Sequence, residues 1–363
     1  MTDPPAGGRS ASLLTQFMSA SSREKEKTQA APVVSMPAPP GSRRRPGYSV
    51  VKSDAKAEPK AGSSETSIRR SLVRLMARAT YHEMPPTSMA RILREWRPRT
   101  RFGSLISMDL MQAARDVEQL LDAEGRLIRL SSRARTVFVG DVHGDLDAVE
   151  CVFTEAAPAG TVIVFLGDVV DRGLSSREAL TRVLLAKLDR PQSVYLLMGN
   201  HEAWGAASFR PADFWESLSR KEVSTLSPIL LKLPFAAWHE AGVLGLHGAL
   251  PDLPTLNHLA TVAVPSPPWR DITWGDWSDS ATSPENLTGR PTYGTSEFIA
   301  RAGRLGVRVL VRSHQPHAPT YLFEDRCLTL FTSRAYGGGP RRVAVLAPGR
   351  AVSTAHDLDV VEI

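Results

Sequence analysis

A chain of 363 residues holds only two cysteines, Cys151 and Cys327, so at most one disulfide can form and a disulfide-built scaffold is excluded. No apolar run approaches the roughly 18 residues of a membrane span, and the start MTDPPAGGRS lacks the charged-then-apolar pattern of a secretory leader. No membrane partner is therefore expected. Collagen-like glycine periodicity, heptads and internal repeats are missing too. These absences set the expectation of a soluble, cytoplasmic protein in a reducing compartment, with both thiols buried as small apolar side chains.

What is present is ordinary globular material, 42% hydrophobic and 23% charged, which suffices for a large core. Charge is unevenly placed. The net +6 hides a basic front: residues 69–104 carry nine Lys/Arg against two Asp/Glu, whereas residues 105–363 carry 25 against 30. That front has no zinc-finger spacing, RNP pattern or interleaved aromatics, so nucleic acid is not expected as a partner. Residues 1–67 are built of Pro, Ser, Ala, Gly and Lys/Arg and cannot bury enough apolar surface to offset their ordering entropy. They read as a disordered basic tail, able at most to dock a regulatory protein, with Arg43–Arg45 as the patch.

Residues 68–130 read as a helical extension. Apolar residues recur at steps of three and four in IRRSLVRLMARAT, SMARILREW and SMDLMQAARDVEQLL. The Pro85–Pro86 pair separates the first helix from the second, and Ser107 or Asp109 offers a cap for the third. From residue 131 the pattern changes to short Val/Ile/Leu runs: TVFVG, TVIVFLG, SVYLLMG, GVLGL and VRVLV. Continuous apolar strands suit sheets covered on both faces, which predicts a layered α/β fold. CLTLFTS and RRVAVLAP read as further strands, antiparallel and in a second sheet, and residues 351–363 as a C-terminal tail.

Each of the five strands is followed by side chains able to hold a metal. TVFV leads to Gly140-Asp141-Val142-His143-Gly144-Asp145, TVIVFL to Gly167-Asp168-Val169-Val170-Asp171-Arg172-Gly173, and SVYLLM to Gly199-Asn200-His201-Glu202. GVLGL leads to His247-Gly248 and VRVLV to Arg312-Ser313-His314. Ligands of open α/β sheets gather beyond strand carboxyl ends, so these residues should converge in one cleft. Imidazole with carboxylate and amide oxygen suits a pair of divalent transition ions, and Asp168 is the natural shared ligand. Alone, an Asp-x-His is usually a turn and a lone His a satisfied core residue, but five such strand ends in order are hard to obtain by chance. His82, His239, His258, His317 and His356 lack that context and read as structural.

GDVHGD, GDVVDRG and GNHE, in that order, resemble the signature of the phosphoprotein phosphatase (PPP) family of calcineurin-like metallophosphatases. The similarity runs from about Ile106 to Ala347 and includes LHGALPD, DITWGDWSD, PTYG, VLVRSHQ and CLTLFTSRAYGGG. It implies that residues 131–350 are the catalytic domain, a four-layer sandwich of two mixed sheets flanked by helices. By the same resemblance Asp141, His143 and Asp168 would hold one metal, and Asp168, Asn200, His247 and His314 the other. Manganese is the first choice, with iron and zinc as alternatives. A water bridging the ions would lose a proton and attack phosphorus in line. Arg172 would grip two phosphate oxygens, and His201, oriented and kept protonated by Asp171, would protonate the leaving group. For the second phosphate arginine Arg290 is the nearest candidate and Arg270 the next. Where the family has an Asn-Tyr-Cys-Gly loop, this chain keeps Tyr336, placed at the substrate edge, but has glycine in the cysteine position.

The implied substrate is a phosphoprotein or phosphopeptide, carrying phosphoserine, phosphothreonine or phosphotyrosine. A dinucleoside polyphosphate is the alternative within the superfamily. A non-catalytic phosphatase-like scaffold, binding partners through its tail, is the alternative outside enzymology.

Overall fold

The computed structural model describes residues 109–279 and 289–363. The expected tail and the helices expected between Ile68 and Met108 lie outside the described residues. The third expected helix forms. α1 spans Leu110–Glu124, and the Asp109 carboxylate caps it by accepting the Gln112 amide at 2.9 Å, satisfying a donor that the first turn leaves open. Leu110, Ala113, Ala114, Val117 and Leu121 are buried at steps of three and four. β1 (Leu127–Leu130) follows and pairs with β5 (Ala236–His239). Both elements belong to the core, so among the described residues the folded unit starts upstream of residue 131.

In one mixed sheet β2 (Thr136–Val139), β3 (Val162–Phe165) and β4 (Val194–Leu196) run parallel. β12 (Arg342–Leu346) pairs antiparallel with β2, and β13 (Asp359–Glu362) antiparallel with β12. Residues 359–362 thus complete a sheet, where the sequence suggested a tail. The second sheet has the order β1-β5-β6-β9-β11-β10, with β6 (Val243–Leu246), β9 (Val309–Arg312), β10 (Tyr321–Leu322) and β11 (Cys327–Thr329). Of the expectation that CLTLFTS and RRVAVLAP are antiparallel strands of a second sheet, the antiparallel pairing holds, β11 against β10 and β12 against β2 and β13, but β11 also runs parallel to β9 and the two strands lie in different sheets. β7 (Asp276–Trp277) and β8 (Thr292–Tyr293) form a separate parallel pair.

Coverage of both faces explains the continuous apolar strands. Phe138, Val164, Leu166, Ala237, Val311 and Leu328 fill the layer between the two sheets, whereas Val137, Val139, Ile163 and Phe165 pack outward. Gly245 makes room for Phe138, whose ring an added Cβ would meet at 2.9 Å. On the outer faces lie α1, α2 (Leu146–Cys151), α3 (Ser176–Asp189), α4 (Asp213–Ser217), α5 (Arg220–Leu230), α6 (Pro267–Trp274) and α7 (Thr295–Leu305). This is the expected arrangement of two mixed sheets flanked by helices. Among the described residues no helix is long and apolar enough to cross a membrane.

Candidate metal centre

β2, β3 and β4 end on one rim of the first sheet, and β6 and β9 on the adjoining rim of the second. The loops that leave them are strained. Of the described non-glycine residues with positive φ, five sit here: His143 (48°), Asp168 (54°), Asp171 (67°), Arg172 (69°) and His314 (73°). Such conformations cost on the order of 1–3 kcal/mol each and persist only where the surroundings enforce them. Gly199 shows the enforcement, since a Cβ there would lie 2.2 Å from Asp168 Oδ1 and 2.6 Å from its backbone nitrogen.

The structure brings all six expected metal-holding residues together, each buried. His143 Nε2 lies 3.4 Å from Asp141 Oδ2 and 3.8 Å from Asp168 Oδ2. On the other side His247 Nε2 lies 3.3 Å from the same Asp168 Oδ2, 3.1 Å from Asn200 Oδ1 and 3.1 Å from His314 Nδ1. Asp168 therefore joins two clusters of donor atoms, one with His143 and His201 and one with His247 and His314, and Asp141 adjoins the first through His143.

The donor set fits cations. His143 Nδ1–H donates to the Val170 carbonyl at 3.0 Å and His247 Nδ1–H to the Leu166 carbonyl at 3.1 Å, so in neutral rings both Nε2 lone pairs face the centre. Carbonyl-oriented imidazoles of this kind are the usual second layer of a metal site. His247 Nε2, His314 Nδ1, Asn200 Oδ1 and Asp168 Oδ2 then converge as acceptors, an arrangement that repels itself unless positive charge lies among them. Protons stand in for that charge. Burial alone would lower the His143 pKa, but the Asp141 carboxylate, with Asp168 behind it, carries it up to about 9. Burial likewise opposes ionisation of Asp168, yet the His247 and His201 imidazoles hold its carboxyl well below the usual range. His314 is driven down by burial, by His247 and by Arg290.

His201 stands beside this cluster. Its Nδ1–H donates to Asp171 Oδ2 at 2.6 Å, and its Nε2 lies 3.8 Å from Asp168 Oδ2. Asp171 is itself fixed by the Phe214 amide, donating at 2.7 Å. Arg172 is exposed at the mouth. Between the two candidates for the second arginine the geometry is unequal. Arg290 Nη1 is 3.4 Å from His314 Nε2, whereas the Arg270 guanidinium donates to the Gly289 carbonyl and so braces the segment that carries Arg290. Tyr336 reaches the centre from above, its hydroxyl 3.4 Å from His143 Nε2.

Three residues escaped the sequence reading of the centre. Glu202 is wholly buried and accepts the amides of Asp168 (2.7 Å), Val169 (2.8 Å) and Gly199 (3.1 Å); burial and the Asp168 charge raise its pKa to about 7. Asp276 Oδ1 faces His314 Nε2 at 3.5 Å. Asp145 receives Arg341 as a fork. Glu202 and Asp145 were visible only as the last acidic residues of GNHE and GDVHGD, and Asp276 only as the middle aspartate of DITWGDWSD. Of the histidines read as structural, His239, His258, His317 and His356 stand apart from the cluster and His82 lies outside the described residues. Cys327 is buried as expected, while Cys151 is half-buried.

The calcineurin-like phosphoesterase family model matches residues 134–318. A Caenorhabditis elegans protein named "Putative serine/threonine-protein phosphatase" is 25% identical over 283 residues, covering 72% of this chain and 60% of the nematode protein. The chain thus spans less than two thirds of that relative. A Schizosaccharomyces pombe protein of the same description is 27% identical over 238 residues, covering 60% of this chain and 75% of its own length. Among solved structures, a Saccharomyces cerevisiae protein serine/threonine phosphatase with similarity to human phosphatase PP5 superposes with a TM-score of 0.60 at 20% identity. It covers 70% of this chain and 88% of its own, a likeness of fold.

Proposed function

The chain belongs to the calcineurin-like phosphoesterase family, and from that premise we propose that it is a phosphoprotein phosphatase that hydrolyses phosphoserine and phosphothreonine esters at the Asp168-centred cluster. The observation that carries the reading is the His201–Asp171 pair, 2.6 Å apart, set against the Asp168 carboxylate, whose Oδ2 lies 3.8 Å from His143 Nε2 and 3.3 Å from His247 Nε2. Both curated relatives described above bear serine/threonine-phosphatase names, which supports the substrate class.

Asp141, His143 and Asp168 would hold one divalent ion, and Asp168, Asn200, His247 and His314 the other. When bound, such ions supply charge that acidifies water and offsets the phosphoryl oxygens. The remaining steps belong to the chain. Glu202 fixes the loop of Asp168 through three amides, so the shared carboxylate is oriented before substrate arrives. Arg172 and Arg290, one at the mouth and one beside His314, offer forked donors to phosphate oxygens. Asp171 commits Nδ1 of His201, which leaves Nε2 to deliver a proton to the departing serine or threonine oxygen. Phe209 packs edge-on against that ring at 4.7 Å and keeps it from swinging away.

The test is turnover by the full chain, supplemented with Mn²⁺, of a phosphoserine peptide and of diadenosine tetraphosphate. Faster turnover of the peptide is expected. A clear preference for the nucleotide would transfer the assignment to dinucleoside polyphosphates. Absence of both activities together with absence of bound metal would favour the scaffold.

A further inference from the structure

The segment 334–341 crosses the centre with little beneath it. It leaves β11 and returns to β12, and residues 334–340 are exposed. Gly337 and Gly338 have positive φ, and a Cβ on either or on Gly339 would meet open space. A cavity of about 160 Å³ lies under the segment, lined by Thr329, Phe331, Ser333, Tyr336, Pro340 and Arg342. The loop's ring contacts run through Tyr336, which lies edge-on to His143 at 5.4 Å and to Phe331 at 5.9 Å, with its hydroxyl 3.4 Å from His143 Nε2; the glycines beyond it pack against nothing.

One carboxylate holds both ends of this loop. Asp145 Oδ2 accepts the Arg334 amide at 3.1 Å, at the start. Seven residues later the Arg341 guanidinium closes on the same group, Nε to Oδ2 at 2.9 Å and Nη2 to Oδ1 at 2.6 Å. The pair is nearly enclosed, with side-chain exposures of 12% and 11%, so water competes little for it. Asp145 also accepts the Ala148 amide at 3.1 Å as the cap of α2, and it follows His143 by two residues. The loop base is thus fastened to the same strand end that presents Asp141 and His143.

We propose that Asp145 and Arg341 are positioning residues: their forked ion pair staples the 334–341 loop and thereby sets Tyr336 over the phosphate-binding side of the centre. Two parts of this differ in what they rest on. The staple is a property of the fold alone, while its effect on substrate rests on the phosphatase reading above. Arg341 touches none of the candidate metal-holding residues, and its further contact with Asp147, at 3.7 Å, is to a solvent-exposed carboxylate, so its removal acts chiefly on the staple. Losing it frees the loop, weakens the Tyr336 contact and raises KM more than it lowers kcat.

The experiment uses the full chain and three variants, Arg341→Met, Tyr336→Ala and the double variant, with Arg341→Lys as a milder fourth. Amide hydrogen exchange over residues 334–341 reads the staple without any turnover. Exchange at least about tenfold faster in Arg341→Met, and intermediate in Arg341→Lys, is expected, with the rest of the fold unchanged. Unchanged exchange would overturn the staple whatever the enzymology shows. On p-nitrophenyl phosphate, Arg341→Met is expected to raise KM about three- to tenfold with a smaller change in kcat, and to add nothing once Tyr336 is absent. Additive effects would overturn the link to Tyr336. If the wild-type chain turns over no phosphomonoester, it is the phosphatase reading that fails, and the exchange result still decides the staple.

Discussion

The Nδ1 atom of His201 lies 2.6 Å from Oδ2 of Asp171, and both side chains are almost wholly buried. A carboxylate cannot donate, so the proton between them sits on Nδ1 and the ring presents Nε2 to the centre. If that nitrogen protonates the leaving oxygen, its loss must hurt in proportion to how badly the leaving group needs a proton. His201→Asn is expected to slow phosphoserine hydrolysis by about 10²–10⁴. Turnover of p-nitrophenyl phosphate, whose phenolate departs readily, should fall far less. Steady-state rates on the two substrates check this, and equal losses would remove His201 from the role of acid.

Asp168 serves both candidate cation groups through one oxygen, Oδ2. Asp168→Asn keeps the size of the side chain but removes the anion that two like-charged ions would share. The expected result is loss of bound metal and of turnover on both substrates. Elemental analysis of the purified variant, beside the wild type, reads the first directly. Retention of two ions per chain would show that the shared carboxylate is not what holds them.

Cation binding should expel protons. His143 is protonated up to about pH 9 in the metal-free chain, because the Asp141 carboxylate outweighs the opposing effect of burial, and His247 is raised by Asp168 in the same sense. An imidazole must be neutral at the binding nitrogen to ligate, so between neutrality and pH 9 metal and proton compete. The sign is a rise in apparent Mn²⁺ affinity with pH, about tenfold per unit for each proton displaced, levelling off above pH 9. Titration calorimetry at pH 7.5 in buffers of different ionisation enthalpy should report about one proton or more released per chain. Release that is absent at pH 7.5, or that grows above pH 9, contradicts the arrangement.

Much of this centre is legible in the sequence because each strand end combines an apolar run with a glycine and a ligand type within a few residues. Asp109 as a cap is legible for the same reason: the signal is local. Sheet membership is not. Continuous runs such as Val243–Leu246 and Val309–Arg312 say that both faces are covered, not which neighbour covers them, and these two strands lie in a different sheet from β2, β3 and β4. β13 is missed because Asp359–Glu362 is a mostly exposed edge without an alternating pattern. Glu202 and Asp145 are missed because, beyond a local amide each, the groups that give them their roles lie 33–34 and 189–196 residues away. Arg290 is already placed ahead of Arg270 by its position in the sequence, and its approach to His314 agrees with that order.

Gly199 carries the sharpest steric prediction. An alanine Cβ there would lie 2.2 Å from Asp168 Oδ1 and 2.6 Å from the Asp168 amide nitrogen. Neither atom is free to yield: Oδ1 accepts the His201 amide at 3.0 Å, and the nitrogen donates to Glu202 at 2.7 Å. Gly199→Ala should therefore displace Asp168 and lose metal, although every ligand remains in the chain. Overpacking of this kind also lowers stability by about 1–3 kcal/mol, read as a lower Tm in the metal-free protein. Gly303 supplies the control, since it lies within α7 and an added Cβ meets nothing within 4 Å. Gly303→Ala should raise stability by about 0.5–1 kcal/mol, because alanine loses less backbone entropy in a helix. Metal content should be unchanged in it. A Gly199→Ala protein with full metal content and unaltered Tm would mean that the loops around Asp168 are not the rigid frame from which the rest of the site is hung.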